Sequence, residues 1–140
     1  MENPLSRYYI MSFFRYIFLF SFLLCLLSCQ DPAREPEGAL QMALEALNRE
    51  DYDTYLQHVD FGAEMDSVQE AFMHDALKQH LEWQRSEYAA VVGIDIVNAK
   101  MRGDSICTVY YQYTFADGKK EVSSQKMVRQ GEVWKIRLRN

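Results

Sequence analysis

The chain has 140 residues, a mass of 16.5 kDa and a formal net charge of −5, which is enough material for one domain. Its residues are 49% hydrophobic, 14% aromatic and 25% charged, and this composition excludes a largely disordered chain, a collagen-like repeat and a cysteine-dense disulfide scaffold. The sequence pI of about 5.2 argues against a general nucleic-acid-binding protein, because such a protein needs a basic face to displace phosphate counterions.

The first 28 residues have the pattern of a secretory signal peptide. An almost uninterrupted apolar run extends from Tyr16 to Leu27, and Arg7 and Arg15 precede it. The run is shorter than a membrane span, which needs roughly 18 to 20 apolar residues. The alternative is an uncleaved anchor that adds residues 8–14 to the run, but Arg15 interrupts that longer segment.

The end of this run, Leu26-Leu27-Ser28-Cys29, resembles the lipobox of bacterial lipoproteins. The resemblance implies that diacylglycerol alkylates the Cys29 thiol, that cleavage follows the small Ser28, and that the freed amine is acylated, as with palmitate. Cys25 is a weaker candidate because the bulky Leu24 precedes it. Two or three acyl chains anchor stably, at about 0.8 kcal/mol for each buried CH₂ group. We therefore expect lipid-anchored attachment in the bacterial cell envelope, at the outer membrane or the periplasmic face of a membrane.

The residues after the predicted cleavage site divide into a tether and one domain. Residues 29–36 form the lipidated cysteine and a tether rich in proline and charge, and residues 37–140 form a single domain. Translation from Met11 instead of Met1 would shorten the signal peptide and keep its basic flank. After lipidation Cys107 is the only free thiol, so we expect it to be buried and unpaired.

Acidic and basic residues are unevenly distributed along the chain. Residues 31–95 contain 15 acidic and 4 basic residues, whereas residues 96–140 contain 4 acidic and 9 basic residues. One interpretation is two solvated faces of opposite charge, and the other is a polarised surface for a charged partner.

Hydrophobic periodicity predicts three helices followed by four strands. Apolar residues at helical spacing predict helices over residues 37–48, 52–59 and about 64–84, the last beginning near Ala63 or Asp66. From Tyr88 the period changes to two, which predicts strands at roughly 88–101, 105–116, 119–129 and 132–139. Helices packed on one face of a curved four-stranded antiparallel meander make an α+β domain.

Turn residues predict the register of the sheet, which decides which side chains face the helices. Two-residue turns at Gly103-Asp104 and Asp117-Gly118 pair Ile96 with Tyr111 and Val109 with Lys126. A three-residue loop with Gly131 at positive φ then pairs Trp134 with Lys126. The predicted inward-facing residues are Ile94, Ile96, Asn98, Cys107, Val109, Tyr111, Tyr113, Val122, Ser124, Lys126, Val128, Trp134, Ile136 and Leu138.

The order of these elements resembles the nuclear-transport-factor-two-like, or cystatin-like, cone fold over residues 36–140. The resemblance is carried by the opening helix Glu37–Asn48, the step Arg49-Glu50-Asp51-Tyr52 into a second helix, and the closing Gly131-Glu132-Val133-Trp134-Lys135-Ile136. Small lipoproteins with such a domain, many of unknown function, are similar to this chain. The resemblance implies a cone that holds a small ligand and, in a few relatives, an active site with an Asp–His pair or an acidic base beside tyrosine donors.

Six of the inward-facing residues form a candidate ligand pocket: Asn98, Tyr111, Tyr113, Ser124, Lys126 and Trp134. Polar groups among apolar walls are typical of small-molecule sites. The alternative is that the tyrosine rings belong to the core while their hydroxyls and the Lys126 amine reach the rim. None of the inward-facing residues is a carboxylate or a histidine, so Lys126 is the only base that the sheet could offer to a proton-abstracting reaction.

A metal centre and catalytic residues are not predicted. Glu70 and His74 lie one helical turn apart, which suits two metal ligands, but Lys78 occupies the next turn and no third ligand is evident. We therefore expect no metal and no cofactor, and we assign no catalytic residue.

The outer face of the predicted sheet is not fully polar, and such a patch often marks an interface. Its candidate residues are Val91, Val97, Met101, Ile106, Tyr110, Met127 and Val133. We expect a homodimer or a protein partner there. The sequence favours a lipid-anchored, non-enzymatic binding or interaction module. The alternatives are a small-molecule enzyme of the cone fold and a structural accessory lipoprotein of an envelope complex.

Overall fold

The computed structural model describes residues 31–138. The predicted signal peptide, the lipid attachment at Cys29 and the first two residues of the tether lie outside the described residues, and they stay predictions. Among the described helices, none combines the length and the apolar character that crossing a membrane requires.

Three helices and five strands follow a 3-10 turn at Pro32–Arg34. The helices are α1 (Pro36–Asn48), α2 (Tyr52–Gln57) and α3 (Ser67–Glu87), and the strands are β1 (Val59–Asp60), β2 (Val91–Arg102), β3 (Ile106–Phe115), β4 (Lys120–Gln130) and β5 (Val133–Arg137). The sheet order is β1-β5-β4-β3-β2, with β1 parallel to β5 and the other pairs antiparallel. The α+β class is confirmed.

The sheet has one strand more than the sequence predicts. The helical spacing of α2 was expected to continue to Val59, but α2 ends at Gln57 and Val59 begins β1. The backbone amide of Ile136 donates to the carbonyl of His58, 2.7 Å away, so the two-residue strand is held beside β5. A strand of two residues has no periodicity of its own, so the sequence pattern does not predict it.

Capping fixes the start of α3. The Asp66 carboxylate accepts hydrogen bonds from the amides of Val68 and Gln69 at 2.9 and 2.8 Å, and the Gln69 side chain accepts one from the Asp66 amide at 3.1 Å. These reciprocal bonds form a capping box, which satisfies amides that have no partner inside the helix. Asp66, and not Ala63, is therefore the N-cap.

The core lies between α1 and the inner face of the sheet. It is a cluster of buried residues: Ala39, Leu40, Ala43, Leu44, Val59, Cys107, Val109, Tyr111, Met127, Trp134 and Ile136. Two polar side chains of α1 also reach the edge strand β2, since Gln41 and Asn48 donate to the carbonyls of Ile94 and Val91 at 3.0 and 3.3 Å. These bonds occupy carbonyls that an edge strand would leave unpaired.

The predicted register of β4 against β3 is wrong by one residue. The connecting loop has three residues, 116–118, and not two, so Val109 pairs with Gln125 and Cys107 with Met127. Only Gly118 has positive φ there, whereas the expected two-residue turn would also force Asp117 into that region. Since side chains alternate along a strand, the shift turns Val122, Ser124, Lys126 and Val128 to the outer face.

The pairing of β2 with β3 is right at its centre and changes at a bulge. Ile94 pairs with Tyr113 and Ile96 with Tyr111, as predicted. A register shift between Ile96 and Asn98 then moves Asn98 opposite Tyr110, on the outer face. The bulge offsets a three-residue loop at 103–105, where two residues were expected.

The loop before β5 is shorter than predicted. Gln130 pairs with Val133 across a two-residue turn, and Trp134 therefore faces Arg129 instead of Lys126. Gly131 has the predicted positive φ, at the first central position where a type II′ turn needs glycine. Trp134 and Ile136 still face the core, because the errors in the two loops reverse each other.

Candidate functional site

Three tyrosines from α2 and β3 meet at the edge of the core. The rings of Tyr111 and Tyr113 lie edge to face with centroids 5.2 Å apart, and Tyr55 packs against the same cluster from α2. Burial, and then the neighbouring Tyr111, raise the pKa of both Tyr113 and Tyr55 above the usual tyrosine range. These phenols therefore stay protonated, and they can donate hydrogen bonds but not abstract protons at neutral pH.

The structure divides the six candidate pocket residues between the two faces of the sheet. Tyr111, Tyr113 and Trp134 are on the inner face as predicted, and Tyr111 and Trp134 are buried within the core cluster. Asn98, Ser124 and Lys126 are exposed on the outer face. The register errors explain this division, and the predicted pocket of six residues is not assembled. A ligand role for the three inner residues stays a prediction.

The thiol of Cys107 lies deep in the core. Its side chain is completely buried on β3, and burial raises the pKa of the thiol above its ordinary value. Because the thiolate is the nucleophilic form, both properties oppose a catalytic role. Burial of this residue was the sequence prediction.

The outer face of the sheet differs from the predicted apolar patch. Met127 lies in the core, and the register places Val91 and Met101 on the inner face. Ile106, Tyr110 and Val133 stay on the outer face as predicted. Lysines share this face, where Lys100 lies 5.4 Å from the ring centroid of Tyr110 and Lys126 is opposite Thr108. A partner role for this face stays a prediction.

An apolar groove lies beside the first two turns of α3. It has a volume of about 550 Å³ and is lined by Phe61, Ala63, Glu64, Met65, Val68, Gln69, Phe72 and Met73. Val68 and Phe72 are 76% and 70% exposed, although both belong to the apolar stripe of the helix. In the 21 residues of α3 only Leu81 is buried. The stripe that predicted the helix is therefore exposed at Val68 and Phe72, whereas Met73, Ala76 and Leu77 are half-buried.

The surroundings of this groove are acidic. Glu64 lines it, and Asp66 and Glu70 directly adjoin lining residues in the chain. The sequence between Arg49 and Lys78 contains eight acidic residues and no lysine or arginine. The acidic segment, residues 31–95, thus contributes the acidic residues around α3, and the basic segment, residues 96–140, contributes the lysines on the outer face of the sheet.

The sequence pattern identifies most of the residues that line the groove, but it does not show which of them are exposed. Met65, Val68, Phe72 and Met73 recur at helical spacing, and such a stripe is typical of a helix packed on a core. Whether a stripe is covered depends on where the neighbouring elements pack, which periodicity does not report. Phe61 gave no signal because it lies in the loop between β1 and α3.

Known proteins resemble this chain in fold. Family models and curated proteins give no match to the sequence. Among solved structures, a candidate NTF2-like transpeptidase from Campylobacter jejuni aligns with a TM-score of 0.61 and 14% identity, over 75% of this chain and 99% of that one. A SEC-C motif-containing protein from Rhodopseudomonas palustris aligns with a TM-score of 0.51 and 15% identity, over 76% and 77% of the two chains. The described part of this chain therefore has an NTF2-like fold.

Proposed function

We propose that this chain is a lipid-anchored, non-enzymatic binding module of the bacterial cell envelope. Lipid on Cys29 holds the domain at a membrane, and the apolar groove beside α3 binds an apolar segment of a partner protein. The observation that carries the proposal is the exposure of Val68 and Phe72, which both line that groove. Contiguous exposed apolar surface with a polar rim is typical of interaction sites.

The composition of the groove supports a protein partner. Its two methionines, Met65 and Met73, have flexible side chains that adapt to irregular apolar surfaces. Phe61 and Phe72 supply larger area that a partner side chain could cover. Such a surface suits one or two apolar anchor residues of a peptide segment.

The charge around the groove narrows the chemistry of the partner. Glu64, Asp66 and Glu70 produce a negative potential where a partner would approach. Complementary charges speed association and suppress binding of acidic competitors. The partner segment therefore carries lysine or arginine beside its apolar anchors.

An enzymatic role is the alternative, and the Campylobacter jejuni neighbour is described as a transpeptidase. Transpeptidation is an acyl transfer, which commonly uses an activated nucleophile. In the described residues the single cysteine is Cys107, and it is completely buried with a raised pKa. Tyr55 and Tyr113 also hold their protons, because burial raises the pKa of both phenols. These properties favour binding over catalysis.

Photo-crosslinking in cells tests the groove. A benzophenone amino acid replaces Phe72 in one strain and Val92, which is 66% exposed on β2, in the control strain. We expect a protein adduct from position 72 alone, and its amount should fall when Glu64→Lys is added. Sequencing of the adduct should show an apolar segment flanked by basic residues. Equal adducts from both positions, or none from position 72, contradict a groove-specific partner.

The anchor is tested separately from the groove. Mass spectrometry of the mature protein should find Cys29 as its first residue, carrying diacylglycerol and acyl groups. The Cys29→Ser variant should lose the lipid and its processing after Ser28. An unmodified mature terminus at another residue contradicts the anchor, whatever the crosslinking experiment gives.

A further inference from the structure

A histidine and two carboxylates meet where α2 faces α3. Asp53 on α2 and Glu70 and His74 on α3 each bring one donor atom, and the three atoms lie within 4.8 Å of one another. The Oδ1 atom of Asp53 and the Nε2 atom of His74 are 3.0 Å apart. The spacing on α3 supplies two of these donors, and the third comes from a helix that is distant in sequence.

The imidazole nitrogen at the centre of this cluster lacks a hydrogen bond. The Nε2 atom of His74 is inaccessible to water and has no hydrogen-bond partner, although Asp53 lies close to it, because the contact does not have hydrogen-bond geometry. Nitrogens in this position normally have a partner, since leaving a polar atom buried and unpaired is costly. A cation between the three donors would satisfy this lone pair and both carboxylates.

We propose that Asp53, Glu70 and His74 form a binding site for a divalent transition metal of the zinc class. Zinc accepts imidazole nitrogen and carboxylate oxygen at about 2.0–2.2 Å, which places neighbouring donors about 3.3–3.6 Å apart in a tetrahedral site. Asp53 and His74 are 3.0 Å apart, and all three donor atoms lie within 4.8 Å of one another, so a rotation of the exposed Glu70 side chain can bring its carboxylate to this spacing. Calcium fits less well because it requires six to eight oxygen ligands.

The position of the site gives the metal a structural consequence. Few interactions hold α3 to the rest of the domain, and among them are the buried Leu81 and the ion pair between Arg85 and Glu50. The proposed metal would connect the first half of α3 to α2. Because the donors come from two helices, the metal binds the docked arrangement and stabilises it by linkage.

The ring of His74 is already positioned for this role. Its centroid lies 5.7 Å from that of Tyr52, and the two rings meet at 68°. This edge contact restricts rotation of the imidazole, so less conformational freedom is lost when a ligand binds. The proposal depends on these contacts alone and does not require the apolar groove to bind a partner.

Metal titration of the full-length chain in detergent tests the site. After treatment with a chelator, ZnCl₂ is titrated calorimetrically into the wild type and into Asp53→Asn, Glu70→Gln and His74→Gln variants. We expect one Zn²⁺ per chain, a melting temperature that rises with Zn²⁺ concentration, and at least about tenfold weaker binding in each variant. Excess Ca²⁺ should not displace the ion.

His80→Gln provides the matched control, because it removes a histidine from the same helix outside the cluster. This variant should bind Zn²⁺ like the wild type, and circular dichroism checks that every variant is folded. Co²⁺ offers a second measurement, since its visible absorption reports the coordination number. Absence of Zn²⁺ binding, or equal affinity in the wild type and the Asp53→Asn variant, overturns the proposal.

Discussion

Cys107 and Met127 face each other across β3 and β4, and both side chains are completely buried. This pairing places Met127 on the inner face of the sheet and the adjacent Lys126 on the outer face. The register expected from the sequence places them the other way round. The pairing of Cys107 with Met127 therefore determines that Met127, and not Lys126, contributes to the core.

Alanine substitution of these two neighbours tests the register. Met127→Ala should lower the free energy of unfolding by about 2–5 kcal/mol, because it removes packed atoms and leaves a cavity against α1. Lys126→Ala should change it by no more than about 0.5 kcal/mol, since the side chain is exposed. Urea denaturation of both variants measures the difference. A larger loss from Lys126→Ala would support the register that the sequence predicts.

The sequence predicts the elements of this domain better than their pairing. Helix α1, most of α3 and the four strands after it follow from periodicity and turn residues, because burial of one face imposes them locally. Register depends on whether a loop has two or three residues, and Asp117-Gly118 is compatible with both. The three-residue loop leaves only Gly118 at positive φ, which is the less strained choice.

The sites escaped prediction for a related reason. The apolar stripe of Val68 and Phe72 identifies α3 but not what packs against it. The helical spacing predicts Glu70 and His74 as neighbouring donors, whereas Asp53 joins them through the packing of α2 on α3. Both features depend on contacts between elements, and a single sequence does not encode those contacts in its periodicity.

The phenol of Tyr113 should make the domain sensitive to alkaline pH. Burial raises its pKa above the usual value of about 10, so the folded chain keeps a proton that the unfolded chain releases. The stabilisation is fully present below about pH 10 and is lost as the pH rises further, at up to about 1.4 kcal/mol per pH unit. Tyr55 acts in the same direction.

Tyr113→Phe should reduce this sensitivity, because it keeps the ring and removes the ionisable group. The variant keeps the ring contact with Tyr111 and loses only the hydroxyl, so its stability at neutral pH should change by no more than about 1.5 kcal/mol. Unfolding followed by circular dichroism from pH 8 to pH 12 should give a shallower decline than in the wild type. Tyr110→Phe, on the outer face, is the control. Equal slopes for Tyr113→Phe and the wild type contradict the prediction.

The thiol of Cys107 should be unreactive in the folded protein. It is completely buried and its pKa is raised, so both access and thiolate formation are limited. The mature lipidated chain should react with Ellman's reagent at least about a hundredfold more slowly in buffer than in urea. Rapid reaction of one thiol in buffer would restore Cys107 as a candidate nucleophile and weaken the choice of a binding module over an enzyme.

The capping box should control the stability of α3 with little effect on the sheet. Asp66→Ala removes two hydrogen bonds at the start of the helix and should destabilise it by about 1 kcal/mol, whereas Asp66→Asn should retain the cap. Because Leu81 is the only buried residue of α3, the loss should be local. Hydrogen exchange should therefore quicken in peptides from α3 and stay unchanged in peptides from β3. If β3 exchanges faster as well, α3 unfolds together with the core, and the exposed wall of the groove is more firmly coupled to the domain than its contacts indicate.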